Sequence, residues 1–212
     1  AETVRTSDAV NSTRGMVLCC WQESAGDCEP FPAYYSSACG GHTEDSENVF
    51  GDSYVTLKGV NCAYCKTTTR PSLFYWPDAK FDKKTINDNI LERYPSLKEL
   101  GTIEKIEAAQ KSEYENNFKR ITSVKLTGST GKIGFLRAED LRLAIDSSGS
   151  KIQSACCTII SLDNEFLFVA GKGFGHGVGL CQYGAREMAR QGKTAEQILN
   201  LYYPDNRIKT IY

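Results

Sequence analysis

Apolar positions along this chain come in short runs whose spacing sorts them into strands and helices. Residues 16–21, Met-Val-Leu-Cys-Cys-Trp, form an unbroken run of strand length. They follow Gly15, which stops a helix predicted to end over 8–13. A turn through 25–27 leads to a second predicted strand over 31–36, a hairpin with a longer loop. Residues 39–65 are rich in Gly, Ser, Asn and Asp and lack the apolar periodicity for a core of their own, so they are expected to be an ordered loop region. Ile86, Ile90 and Tyr94 repeat at helical spacing with Leu91 alongside, which predicts a helix over 82–94 ended by Pro95. Strands are predicted over 102–108, 118–126 and 132–136, then a helix over 138–144. A hairpin over 156–161 and 166–169 turns at Asp163-Asn164. The glycine-rich run 171–179 precedes a helix over 181–191, and a last helix over 195–202 is stopped by Pro204. Adjacent strands, segregated helices and the absence of repeats predict a single α+β domain over 1–212, strand-rich with short helices and a Gly-rich loop before a C-terminal helix pair.

Charge and length narrow the function classes. A formal net charge of −1 over 212 residues lacks the basic face that phosphate binding needs, so nucleic acid is not the expected partner. No apolar run approaches the ~20 residues of a membrane span, and the opening Ala1-Glu2-Thr3-Val4 has no basic start or apolar stretch of an export signal. The chain reads as soluble, any export signal having been removed or never included. Nine cysteines are many for this length, and the odd number leaves one over in a purely disulfide framework.

Those cysteines carry the sharpest local signal. Cys39-Gly40-Gly41-His42 and Cys62-Ala63-Tyr64-Cys65 give C-x2-H, a 19-residue spacer and C-x2-C. Two-residue spacing lets paired ligands from one tight turn reach the same ion, and three thiolates with an imidazole suit structural zinc. The bland readings are a Cys39–Cys62 disulfide with a free Cys65, or buried thiols. Cys19, Cys20, Cys28, Cys156, Cys157 and Cys181 read as buried thiols, or as disulfide partners in an oxidising compartment.

The second signal is Gly171-Lys172-Gly173-Phe174-Gly175-His176-Gly177-Val178-Gly179, five glycines alternating with other residues. Glycine permits positive φ and close backbone approach, so the segment is expected to pass beside a ligand or pack tightly under one. No Lys-Ser/Thr follows and the G-x-G-x-x-G spacing is absent, which argues against a phosphate cradle. His176, at its centre, is one of only two histidines. Ser36, Ser37, Thr43 and the carboxylates of 44–47 flank the first motif and suit sugar hydroxyls, although a solvated, well-capped loop has the same composition.

Taken together these segments resemble the sporulation stage II protein D family of lytic transglycosylases. The resemblance runs through 13–18, Ala33-Tyr34-Tyr35-Ser36-Ser37-Ala38-Cys39-Gly40-Gly41-His42-Thr43, 47–51 and 57–60. Its strongest block is Gly173-Phe174-Gly175-His176-Gly177-Val178-Gly179-Leu180-Cys181-Gln182-Tyr183-Gly184-Ala185, leading to 198–204; it is weakest over 66–117. It implies a secreted, cell-envelope enzyme, periplasmic or cell-wall facing, acting on peptidoglycan glycan strands. The family cleaves between N-acetylmuramic acid and N-acetylglucosamine, prefers strands free of peptide stems, and leaves 1,6-anhydro ends. One carboxylic acid suffices for this reaction, protonating the leaving oxygen and then accepting a proton from the sugar's own 6-hydroxyl. The family's catalytic glutamate motif, of the form V-x-x-E-M-P, has no match in 1–212, which points to a removed segment, an upstream fragment or a second chain carrying that acid. The candidate catalytic residues are then Glu47, His176 and Gln182. Ser36, Ser37, Thr43 and Tyr183 are the candidate substrate-binding residues, and Cys39, His42, Cys62 and Cys65 the metal ligands. A non-catalytic glycan-binding module and a zinc-dependent cell-wall amidase are the rival readings.

Overall fold

A computed structural model describes residues 3–22 and 27–212, so most of the turn expected through 25–27 lies outside the described residues. The chain opens with α1 (Val4–Ser12), capped by Thr3, and turns at Gly15 into β1 (Met16–Gln22). The next strand differs from expectation: β2 is Asp27–Pro30, antiparallel to β1, and β3 is only Tyr35–Ser36. Pro30 and Pro32 cannot donate to a ladder. The chain therefore leaves the sheet after Pro30, and Phe31 turns inward onto Tyr203 with ring centroids 5.6 Å apart. A disulfide joins Cys19 to Cys28 across the β1–β2 pair.

The predicted loop region 39–65 carries the short helix α2 (Ser46–Phe50); α3 (Cys65–Thr68) starts at its last residue, and α4 (Pro71–Phe74) follows before the two-residue strand β4 (Tyr75–Trp76). Then follow β5 (Ala79–Asp82) and α5 (Lys83–Arg93), whose N-cap Asp82 accepts the Thr85 amide and which ends before Pro95. Strands β6 (Ile103–Glu113), β7 (Lys119–Gly128) and β8 (Ile133–Arg137) make an antiparallel meander, succeeded by α6 (Ala138–Ile145). Strands β9 (Thr158–Ser161) and β10 (Glu165–Val169) form the predicted hairpin, with β5 on its other edge. The chain closes through β11 (Gly171–Lys172), β12 (Leu180–Cys181), α7 (Gln182–Arg190), α8 (Ala195–Tyr202) and β13 (Asn206–Thr210). This is an α+β fold.

Two apolar clusters organise it. The sheet lobe buries Ile86 and Ile90 of α5, Ile103 and Ile106 of β6, Val124 and Leu126 of β7, Leu141 of α6, and Phe166 and Phe168 of β10. The thiol lobe gathers Cys39, Cys62, Cys65 and Cys181 with Leu57, Phe74, Val178, Met188, Tyr202 and Tyr203. Strand β13 had no signal in the sequence. Asn206-Arg207-Ile208-Lys209-Thr210 is almost wholly exposed and pairs with β1 through the backbone ladder, Met16 opposite Thr210, with the Arg207 guanidinium 4.9 Å over the Trp21 ring.

Candidate functional site

Backbone pairing draws distant motifs into one wall. Strand β3 pairs in parallel with β12, Ser36 opposite Cys181. Ala38 and Phe174 exchange both backbone hydrogen bonds, at 3.0 and 2.7 Å, and the Glu44 amide donates to Gly177 O at 2.9 Å. On the other side Thr43 N donates to Val60 O and Cys62 N to Gly41 O, both at 2.9 Å. The segment 36–44 is thus laced between the glycine loop and 60–62. Gly173, Gly175, Gly177 and Gly179 all adopt positive φ. A Cβ at Gly177 would come within 2.7 Å of the Arg120 guanidinium, and one at Gly179 would overlap Tyr34 O.

The Sγ atoms of Cys39, Cys62, Cys65 and Cys181 all lie within 4.8 Å of one another, and all four residues are buried. Tetrahedral zinc with bonds of ~2.3 Å implies sulfur–sulfur edges of about 3.8 Å, and Cys39 and Cys65 stand 3.6 Å apart. The Cys39 amide and the Gly184 amide donate to Cys181 Sγ at 3.3 and 3.4 Å, and the Tyr202 hydroxyl lies 3.1 Å from Cys62 Sγ. Such outer contacts orient ligands in metal sites. A Cβ at Gly184 would overlap the Tyr202 hydroxyl and come within 2.7 Å of Cys62 Sγ. Burial and the neighbouring Cys181 push the Cys39 thiol well up, whereas hydrogen bonds from Cys181, Cys39 and Cys65 push Cys62 down. Four buried sulfurs at this spacing fit a soft divalent metal, for which they could supply all four ligands.

His42 stands outside this group, and Cys181 takes the fourth place expected of it. The His42 ring stacks on Tyr114 at 3.8 Å and its Nδ1–H donates to Thr43 O at 2.7 Å. Burial holds its pKa below the usual histidine value. No spacing rule could have found Cys181, 116 positions beyond Cys65; only the β3–β12 pairing carries it there.

The other candidates divide by what their polar atoms already do. His176 is half-buried against Phe50 and Tyr34, with centroids at 5.0 and 6.3 Å. Its Nδ1 accepts from Val178 N at 3.0 Å, so Nε2 carries the proton and donates to Tyr35 O at 2.9 Å. Burial lowers its pKa, against the opposing charge of Glu139. Thr43 is fully buried, its hydroxyl accepting the Val60 amide at 2.8 Å. Ser36 is buried and its Oγ finds no partner among the described residues. Ser37 and Tyr183 are half-buried and meet through Tyr183 N to Ser37 O at 3.1 Å, while Gln182 opens α7 in an exposed position. Glu47 is exposed on α2, receiving Ser53 Oγ at 3.4 Å with Lys58 Nζ 3.8 Å away.

Sequence reasoning missed the polar bolt beneath the wall. Glu44 is fully buried and accepts from Tyr114 Oη and Ser112 Oγ, each at 2.6 Å, and from Asn48 Nδ2 at 2.8 Å. Arg120, on β7, lies 3.5 Å from Glu44 and donates from Nη2 to the carbonyls of Cys39 at 2.7 Å and His42 at 3.1 Å. An Arg inside an alternating strand reads as an outward position, which is why pattern alone passes over it.

A mixed α+β protein with a four-thiol centre clamped beneath a glycine–histidine loop is the class these features define. No family model matches the chain. It is 33% identical over 170 residues to an uncharacterized protein of Brachyspira hyodysenteriae, covering 80% of this chain and 41% of that one. It is 25% identical over 206 residues to stage II sporulation protein D of Bacillus subtilis, covering 96% and 51%, and 26% identical over 233 residues to the amidase enhancer of Bacillus subtilis, covering 94% and 32%. The chain spans about half the length, or less, of these curated relatives. Over most of its length the chain is thus similar, at a distance, to stage II sporulation protein D.

Proposed function

We propose that this chain handles glycan strands of the cell wall as part of a peptidoglycan lytic transglycosylase, acting between N-acetylmuramic acid and N-acetylglucosamine. The observation that carries the reading is the lacing of 36–44 to the His176 loop. It joins the two motifs that carry the sequence resemblance into one wall, with Tyr183 and Gln182 at its edge. In this reading zinc on Cys39, Cys62, Cys65 and Cys181 is structural and fixes that wall. Both ring nitrogens of His176 are engaged by backbone, so it shapes the loop and transfers no proton. Four cysteine donors fill a tetrahedral site and leave no position for the water a hydrolytic zinc requires, which removes the support for an amidase. The Cys19–Cys28 disulfide favours an extracytoplasmic setting, and no helix among the described residues is long and apolar enough to cross a membrane.

We locate the general acid outside residues 1–212. Glu44 is enclosed by donors and Glu139 is bound to Arg142 at 2.6 and 2.9 Å; Glu47 is exposed beside Lys58. The same observation favours a second reading, a glycan-binding module without activity of its own. Incubation with stem-free peptidoglycan strands, followed by mass spectrometry for 1,6-anhydro ends, separates them. The expected result is binding with cleavage depressed by ~10²–10⁴-fold, the usual contribution of a general acid, and restored when a glutamate-bearing segment is supplied. Failure to bind strands at all sinks both readings. Abundant anhydro product that disappears in Glu47→Gln assigns the acid to Glu47.

A further inference from the structure

Beyond His42 the surface opens into two adjoining cavities. One, of about 340 Å³, is lined among others by His42, Tyr75, Glu115, Asn117, Phe118 and Lys172. The next, of about 270 Å³, is lined by Lys111, Lys119, Cys156 and Cys157, and again by Asn117 and Lys172. The two shared residues make them one groove.

Its two ends differ in chemistry. At the first, Tyr75 is half exposed and Phe118 half-buried, presenting aromatic faces of the kind on which sugar rings stack. At the second, three lysines line the cavity and no carboxylate does. Lys119 is paired with Glu113 at 2.6 Å. Lys111 and Lys172 form no ion pair within 4 Å among the described residues; Glu113, paired with Lys119, is also within electrostatic reach of Lys111, so three lysines at this cavity face one nearby carboxylate. Burial pushes the Cys157 thiol up to about 12 and raises Cys156, so the cavity thiols stay uncharged and leave the field positive.

Lys172 is also placed firmly. Its amide donates to Cys156 O at 2.9 Å and its carbonyl accepts Ser154 Oγ at 2.6 Å. On the β4–β11 ladder it stands directly opposite Tyr75, and such cross-strand neighbours share a face with Cβ atoms about 5 Å apart. The ammonium stem and the phenol ring therefore rise side by side. Asn116 and Asn117 hold left-handed φ of 61° and 58° in the turn that carries them past the groove.

We propose that this groove is a subsite for an acidic sugar, with the ring against Tyr75 and Phe118 and its carboxylate between Lys172 and Lys111. For the identity of the polymer it rests on the proposed function. A muramic residue stripped of its peptide exposes a lactyl carboxylate, whereas a stem-bearing residue carries a neutral amide at the same atom. The subsite would thus read the removal of the stem as the gain of a charge. A uronic-acid glycan presents the same carboxylate from another source.

The test is titration calorimetry on the metal-replete chain with three ligands: stem-free peptidoglycan strands, the same strands with lactyl carboxylates converted to methylamides, and a uronic-acid oligosaccharide. Lys111→Gln/Lys172→Gln is compared with the parent and with Lys193→Gln, an exposed lysine away from the groove. Both variants keep the parent's melting temperature, because the replaced side chains are exposed. Stem-free strands are expected to lose roughly five- to thirtyfold in affinity with the double variant, in line with two partly exposed charge pairs. The difference between free and amidated strands disappears with it, and Lys193→Gln changes neither. Equal binding of free and amidated strands by the parent overturns the subsite, as does a double variant that binds like the parent. Lysine-dependent binding of the uronic-acid ligand with none of the muramic strands keeps the subsite and rejects the proposed function. Binding of strands with no preference for charge does the reverse.

Discussion

The sheet lobe and the thiol lobe differ first in where their residues lie along the chain. Every buried member of the sheet lobe falls between Trp76 and Phe168. The thiol lobe is assembled from two separated stretches, Cys20 to Phe74 and Val178 to Tyr203. The sheet lobe is in effect inserted into the thiol lobe. One is a conventional core of β-branched and aromatic side chains on a regular meander; the other is a set of short elements and loops around four sulfurs. A continuous stretch can rely on periodic burial, whereas a discontinuous one with little regular structure needs point attachments. Here those are the thiol centre and the Glu44–Arg120 bolt.

The largest expected effect follows from the metal proposed for the thiol centre. Structural zinc contributes on the order of 10 kcal/mol or more in small domains. Cys62→Ser should therefore lose the metal and abolish hydrogen-exchange protection over 39–65 and 178–203, while amides of β6 and β7 remain protected. Uniform loss across both lobes would mean that the lobes do not fold as separable units, and a parent without bound metal by elemental analysis would remove the premise. The reciprocal change is Phe166→Ala in the sheet lobe, where a fully buried phenyl is deleted. A cost of about 3–5 kcal/mol is expected, with metal content unchanged in the folded fraction; chemical denaturation followed by metal analysis checks both.

Arg120→Met tests the joint. Glu44 would be left buried opposite an uncharged side chain, at a cost of about 3–5 kcal/mol, and the carbonyls of Cys39 and His42 would lose their donor. Denaturation and exchange should show both lobes weakened, the thiol lobe more. Loss confined to the sheet lobe would deny the bolt its role.

The smallest effect belongs to His176. Removing the ring in His176→Ala strands Tyr35 O and Val178 N and should cost about 1–3 kcal/mol. Its pH dependence has a definite sign. Burial depresses the folded pKa below the ordinary histidine value of about 6.5, so the unfolded chain takes up the proton first. The stability difference is absent above that value, and stability declines as pH falls through 6.5 toward the folded pKa. Parent and mutant melting curves between pH 8 and 5 should converge toward the acid end. Curves that stay parallel would show that His176 does not titrate differently on folding.

Legibility in the sequence followed the same division. Much of the sheet lobe could be read from its pattern, β5 excepted, because Ile86 and Ile90 repeat at four and β7 alternates buried and half-buried positions from Thr122 to Gly128. The thiol lobe yielded its local pieces only. C-x2-C announced Cys62 and Cys65, and alternating glycines announced the positive-φ loop, yet nothing near Cys181 linked it to Cys39, 142 positions away. His42 took its place in the reading because C-x2-H is local and a parallel two-residue ladder is not. Strand β13 was invisible for a related reason: its pairing is carried by backbone groups, which every sequence possesses.

The insertion of one lobe within the other also sets an order of assembly. As the chain leaves the ribosome, everything the sheet lobe needs has emerged by residue 169, and domains generally begin to fold as they appear. The thiol lobe must wait for Cys181, Tyr202 and finally β13, whose pairing with β1 closes a loop of nearly the whole chain. A compact insert shortens that wait, because the folded sheet lobe holds residues 76 and 171 together on the β4–β11 ladder and turns a long closure into a short one. Three of the four thiols nevertheless emerge unescorted, long before the fourth.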